Sequence, residues 1–183
     1  MTSLTRDPLL AIAKGILWFL MGAMALAAVG CLIAIPLLHV FQHDITIELA
    51  KEAPKLSTPD FIWIMTGVLI GVIALVAILF RLFQLLKRIV DTVGLGDPFL
   101  PENAARLTQM AWLTLAMQVI SFGLGSAASW LDKIAGDAPH IRTEIQFDDG
   151  LSGNGLLLML ILFILARVFR QGAAMRAELE GTV

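Results

Sequence analysis

Long apolar runs alternate with short polar stretches along this chain, and the runs have the length of membrane spans. Gly15 to Leu38 is apolar almost without interruption. About 24 residues at 1.5 Å each rise roughly 36 Å, enough to cross a hydrocarbon layer of about 30 Å. Arg6 and Lys14 precede this run, and Pro36 lies near its far end, where a missing backbone hydrogen bond does little harm. Ala28-Val29-Gly30-Cys31 loosely matches a lipoprotein cleavage box. Ala stands three before the cysteine where Leu is usual, however, and apolar sequence continues to Leu38, so an uncleaved span is expected.

Residues 39–60 form a polar outer loop. Inside it, Asp44-Ile45-Thr46-Ile47-Glu48 alternates with period two and predicts a half-buried strand. Residues 61–80 are the second span, in which Gly67 and Gly71 leave room for a close helix neighbour. The helical pattern then continues past the membrane. Leu82, Leu86, Ile89 and Val93 line one side while Arg81, Gln84, Arg88 and Asp91 occupy another. Gly94 and Gly96 supply the stop.

Asp97-Pro98 reads as a turn or helix start, because Asp accepts backbone N–H bonds and Pro has φ preset. Pro101-Glu102 reads as a second start, with an acid at the positive end of the helix dipole. Residues 81–109 thus make a cytoplasmic helix extension and loop. Residues 110–131 are the third span, with Ser121, Gly125 and Ser129 repeating every four residues as another close-packing face. Residues 132–153 are the second outer loop, acidic, with an alternating run from Ile141 to Phe147 and a closing Asp149-Gly150 turn pair. Residues 151–169 are the fourth span, where Arg167 lies close enough to the end to snorkel, and the tail continues as a short helix.

The expected architecture is therefore a single all-α membrane domain of four transmembrane helices in two hairpins. The two alternating outer segments leave open a small two-stranded outer sheet, which would need packing support to be stable in water. A weak duplication is visible as well. Each half reads span, outer segment, span and a cytoplasmic extension beginning Phe80-Arg81 or Phe169-Arg170, as in parallel repeats related by an axis along the membrane normal.

Composition agrees with this pattern. Of the 183 residues, 58% are hydrophobic and only 15% charged, against about 25% charged in soluble chains. A net charge of −2 argues against direct nucleic-acid binding. One cysteine, Cys31, allows no intrachain disulfide and no cysteine metal cluster. Charge placement sets the orientation. Nine basic residues (Arg6, Lys14, Arg81, Lys87, Arg88, Arg106, Arg167, Arg170, Arg176) lie on one side and four (Lys51, Lys55, Lys133, Arg142) on the other. The positive-inside rule puts both termini and the Gly94–Arg106 loop on the cytoplasmic side. Trp18 and Trp112 then fall near the inner interface, Trp63 and Trp130 near the outer one.

The stretch GDPFLPENAARL, a fourth span ending LARVFRQGAAMRAELEGTV and the four-span layout together resemble a bacterial family of integral membrane proteins catalogued as a domain of unknown function, number twenty-nine seventy-five. The resemblance covers essentially the whole chain. It is most specific at Gly96-Asp97-Pro98-Phe99, Glu102-Asn103-Ala104, Arg106-Leu107 and Phe169-Arg170-Gln171-Gly172. It implies the four-span fold and genomic proximity to a small helix-turn-helix regulator, and it carries no catalytic residue.

The candidate partner-binding residues are Asp97, Pro98, Phe99, Glu102, Asn103, Arg106 and Arg170. Turn and capping chemistry explains the same loop residues, and the two readings are compatible, because a rigid turn makes a better docking surface. Phe99 discriminates: it either staples the helix start to the bundle or presents an anchor. Arg81, Lys87 and Arg88 fit topology and anionic-lipid contacts. His39, His43 and His140 match no strong metal spacing, and neither metal nor cofactor is expected. Residues Thr66, Thr114, Gln118, Ser121, Ser126 and Ser129 are the polar groups of the spans, with no ionisable residue at mid-depth. Transport through buried charge, and catalysis by a nucleophile–base pair or phosphate loop, therefore have little to build on. The expected function is a non-enzymatic signalling or regulatory protein that lies in the lipid bilayer and binds a soluble partner. Alternatives are a small channel or transporter subunit, homo-oligomeric through the Gly67/Gly71 face, and a membrane assembly factor.

Overall fold

A computed structural model describes residues 8–52, 58–135 and 152–180. These residues form α1 (Pro8–Val40), α2 (Gln42–Glu52), α3 (Thr58–Gly94), α4 (Pro101–Ala135) and α5 (Gly153–Glu180). Four of them, α1, α3, α4 and α5, are long and apolar enough to cross a membrane. Their surfaces say the same. Along α1, Leu9, Ile16, Phe19, Leu26, Leu32 and Leu37 all stand exposed. Soluble monomers rarely expose apolar patches above a few hundred Å², so the surroundings of these helices are lipid. The chain is a multi-pass membrane protein.

Helix length separates the spanning part from the rest. At 37 residues, α3 is roughly 55 Å long, about 25 Å more than the hydrocarbon layer needs. It runs without a break through the Arg81–Val93 extension and ends at Gly94. There the Gly96 N–H donates to the Val93 carbonyl at 3.0 Å, the Asp97 N–H donates to the Thr92 carbonyl at 3.2 Å, and Gly96 takes φ 84°. A left-handed backbone of this kind is strained for any residue with a Cβ. The tail likewise prolongs α5 to Glu180.

Among the described residues there is no strand for the small outer sheet. Its first strand, Asp44–Glu48, lies inside α2, and its second, Ile141–Phe147, lies outside the described residues. Phe41 and Ile45 explain the first result. They are spaced one helical turn apart, and the Ile45 N–H donates to the Phe41 carbonyl at 3.1 Å, so helical pairing runs on directly from α1. Thr46 donates its hydroxyl to the Gln42 carbonyl at 2.6 Å. Five alternating residues are too few to fix a period against a helix that already abuts them.

The chain divides into two compact units. The first holds the described parts of Met1–Ala25, Ile78–Ala116 and Gly153–Val183. Its core is Leu107 and Ala111 of α4 against Leu162 and Ala166 of α5, with Ile89, Met110, Met159, Phe163 and Phe169 packed around them. The two alanines let helix backbones approach closely. On the α3 extension the buried side is centred on Leu85, 1% exposed, and on Ile89, while Leu86 and Val93 are exposed. The inward face is therefore turned roughly 60° from the Leu82–Leu86–Ile89–Val93 stripe. The cause is Thr92, which faces the buried Asn103.

The second unit holds the described parts of Leu26–Ala77 and Met117–Ser152. At Gly71 an added Cβ would meet Leu124 Cδ2 at 2.7 Å, whereas at Gly67 it would meet nothing within 4 Å. Only the second glycine of the pair serves a close approach within the chain. On α4, Gly125 is buried, Ser121 and Ser129 are half-buried, and the Ser129 hydroxyl donates to the Gly125 carbonyl at 2.7 Å. Gln118 is 8% exposed, and neither atom of its amide has a partner among the described residues.

Candidate functional site: the stapled turn between α3 and α4

Leu95 to Leu100 connect α3 to α4, and the first turn of α4 closes the connection from inside. The Asn103 N–H donates to the Leu100 carbonyl at 2.9 Å. Its side chain is fully buried, at 0% exposed, so every polar atom on it needs a partner. The amide Nδ2 donates to the Pro98 carbonyl at 2.9 Å and to Thr92 Oγ1 at 2.8 Å. The amide oxygen accepts from Arg106 Nη1 at 2.7 Å. Thr92 in turn donates to the Ile89 carbonyl at 2.8 Å, and Arg106 Nη1 also lies 3.3 Å from the Arg88 carbonyl. One buried carboxamide thus joins the end of α3, the turn and the start of α4. Pro101 and Glu102 are exposed, with the acid in the first turn of α4.

A second set of contacts fastens the turn to α5. The Phe99 ring lies against Phe169, with centroids 5.5 Å apart and planes at 46°. It also covers Gly172, where an added Cβ would come within 2.6 Å of Phe99 Cδ1. Phe99 is still 42% exposed, so it staples the turn with one side of the ring only. Beside it, Arg176 donates to the Asp97 carboxylate. The pair is half-exposed, and such pairs contribute about 1 kcal/mol or less; packing of Phe99 is the stronger tie. The start of α1 joins from the other direction. Lys14 pairs with Asp91 at 2.8 Å, Lys87 reaches the same carboxylate at 3.3 Å, and Lys87 Nζ sits 5.5 Å from the Trp18 ring centroid.

Six of the seven residues singled out from sequence, Asp97, Pro98, Phe99, Glu102, Asn103 and Arg106, therefore belong to one turn. Arg170 does not join them. Phe169, Gly172 and Arg176 face the turn, and at about 100° per residue Arg170 points roughly 130° away from that face. It lines a separate groove with Arg167. Sequence reasoning missed Thr92, Lys14 and Arg176 as partners, and no local pattern marks them, since each bond joins distant segments. Leu95, the first residue after α3, is 80% exposed. Chemically the arrangement positions and presents. Asp97 is ion-paired, the Asn103 amide is fully hydrogen-bonded, and among the described residues no three His, Cys, Asp or Glu side chains gather as a metal site requires.

Comparison with known proteins places this architecture in a family. No curated protein and no solved structure matches the chain. The sequence profile of the family described as "Protein of unknown function (DUF2975)" matches residues 44–183, and the chain belongs to that family.

Proposed function

We propose that the chain is a non-enzymatic signalling or regulatory protein of the bacterial inner membrane, with both termini cytoplasmic, whose cytoplasmic face binds a soluble partner. The division of basic residues, nine against four, supports the orientation. The observation that carries the docking surface is Leu95, 80% exposed, on a turn fixed by Asn103 and fastened to α5 by Phe99. An exposed apolar side chain on a held turn loses little freedom on binding, which lowers the cost of association. On α5, beyond the apolar run, Met175 and Leu179 add exposed apolar surface one turn apart, at 62% and 71%. A helix-turn-helix regulator is the partner suggested by the resemblance at Gly96–Phe99 and Phe169–Gly172.

Affinity capture of the detergent-solubilised protein from its native membrane, read by mass spectrometry, tests this. Leu95→Glu is the informative control, because the Leu95 side chain is 80% exposed and takes no part in the Asn103, Phe99 and Asp97 contacts that hold the turn. A DNA-binding protein captured by the parent and lost in Leu95→Glu is the expected result. Equal capture by both would move the docking surface elsewhere, and recovery of the bait alone would end the regulatory reading. A channel or transporter subunit is the second reading. Its one favourable observation is the unpartnered, buried amide of Gln118, and a proteoliposome flux assay with Gln118→Leu tests it.

A further inference from the structure

The face of α5 turned away from the stapled turn forms a groove with α4 of about 500 Å³, lined by Phe163, Ala166, Arg167, Arg170, Gln171, Ala174 and Thr108. The six α5 residues follow the spacing i, i+3, i+4, i+7, i+8, i+11, so they make one continuous stripe of that helix. The stripe is ordered along its axis. Phe163 stands at the membrane end, and Arg167, the first charged residue of α5, follows one turn later. Arg170 and Gln171 come next. Both arginines are exposed, no carboxylate lines the groove, and neither guanidinium has an ion-pair partner among the described residues. Four other basic groups of the same unit are engaged: Lys14 and Lys87 with Asp91, Arg106 with Asn103, Arg176 with Asp97.

We propose that this groove binds an anionic glycerophospholipid of the surrounding bilayer, its phosphate held by Arg167, Arg170 and Gln171 and an acyl chain laid over Phe163. Three observations favour a lipid over a soluble phosphate ester. Leu156 and Leu160, both exposed, continue the Phe163–Arg167 line into the spanning part of α5, so the groove opens onto lipid-facing surface. Phe163 and Arg167 are about 6 Å apart along the axis, which matches a headgroup layer roughly 5–8 Å deep on each side of the hydrocarbon. Trp112 of α4 meets Phe163 edge to face at 5.7 Å between centroids and is 60% exposed; tryptophan at the membrane surface marks headgroup level. The two guanidinium groups supply fork-shaped donors suited to phosphate oxygens. With no carboxylate in the groove lining to receive a choline or ethanolamine ammonium, the groove selects a headgroup of net negative charge.

The full-length protein in nanodiscs of phosphatidylcholine doped with phosphatidylglycerol provides the test. Native mass spectrometry is expected to show phosphatidylglycerol retained on the parent protein. The Arg167→Gln/Arg170→Gln variant should lose retention by about tenfold or more, on the usual contribution of two basic residues at a membrane surface. Arg167→Lys/Arg170→Lys keeps the charge without the fork and should fall between them. Glycerol phosphate, the headgroup without chains, should give neither protein a thermal shift. Equal retention by the parent and the glutamine variant overturns the proposal, and so does protection of the parent by glycerol phosphate, which would identify a soluble ligand. If the double variant does not fold, Arg170→Gln alone, at an exposed position, decides by the same readout. Leu95→Glu should retain lipid fully, so failure of this site and failure of the docking surface are told apart.

Discussion

Replacing Asn103 by alanine removes three hydrogen bonds at once and leaves the fold's other contacts in place. The side chain is 0% exposed, so water does not substitute for the lost partners. Two of the bonds, to the Pro98 carbonyl and to Thr92 Oγ1, are between neutral groups and contribute about 0.5–1.5 kcal/mol each. The third, from Arg106, involves a charge, but the guanidinium is half-buried and keeps the Arg88 carbonyl within 3.3 Å, so it belongs at the low end of its range, about 1.5 kcal/mol. The sum is about 2.5–4.5 kcal/mol, and the low side, about 3 kcal/mol, applies because the Thr92 hydroxyl keeps its bond to the Ile89 carbonyl. For a chain of this size that lowers Tm by roughly 6–12 °C. Thermal unfolding in mild detergent, followed by tryptophan fluorescence, measures it directly. A cycle with Thr92→Val isolates the Nδ2 bond, and a coupling of about 1 kcal/mol is expected between residues that share it. An Asn103→Ala protein melting within about 2 °C of the parent, less than 1 kcal/mol on the same scale, would refute the idea that this amide holds the turn.

Other perturbations follow from individual contacts. Gly71→Leu should destabilise the protein by about 1–3 kcal/mol through overpacking against Leu124, while Gly67→Leu, in open space, should leave Tm unchanged; equal effects would contradict the packing. Gly172→Ala forces the Phe99 ring aside, because Cδ1 would lie 2.6 Å from the new Cβ. A loss of about 1–2 kcal/mol is expected, and it should vanish in a Phe99→Ala background, as a double-mutant melting series would show. Gln118→Met replaces a buried, unpartnered amide with an apolar group of similar length and should raise Tm, since such an amide costs about 1–3 kcal/mol; a fall in Tm would mean that the amide has a partner in the membrane.

Much of this architecture is legible along the chain because length and apolarity are local properties. Composition and period point to four long apolar helices, a helix continuing past the second apolar run and a stop at Gly94 and Gly96. The structure has four helices long and apolar enough to cross a membrane, an unbroken α3 to Gly94 and a left-handed Gly96. The errors arise where a short pattern competes with a neighbour. Asp44–Glu48 alternates like a strand, but α1 hands it a helix already formed. On the α3 extension, a stripe drawn through apolar residues leaves out Thr92, a polar residue that faces inward because Asn103 is there to meet it. The turn is half legible. Asp97, Pro98 and Glu102 follow the usual grammar of helix starts, whereas the burial of Asn103 and the seat of Phe99 on Gly172 depend on segments far away. The Arg167–Arg170 groove does carry a signal, the α5 stripe of spacing three and four, but its apolar half reads as ordinary span, Arg167 as a snorkelling end residue and Arg170 as a candidate partner contact.

The two fastenings of the turn also differ in when they become available during synthesis. Asn103 and Thr92 are 11 residues apart, so the hairpin of α3 and α4 can close its own connection once Arg106 has left the ribosome. Asp97 and Arg176 are 79 residues apart, and Phe99 must also wait for Phe169 and Gly172. At about 5–20 residues per second, Arg176 follows Arg106 by roughly 4–14 s. In that interval the nascent chain holds a closed hairpin whose aromatic side chain has no seat, a surface that an insertion chaperone or a neighbouring nascent helix can reach and that the finished protein covers with its own last helix.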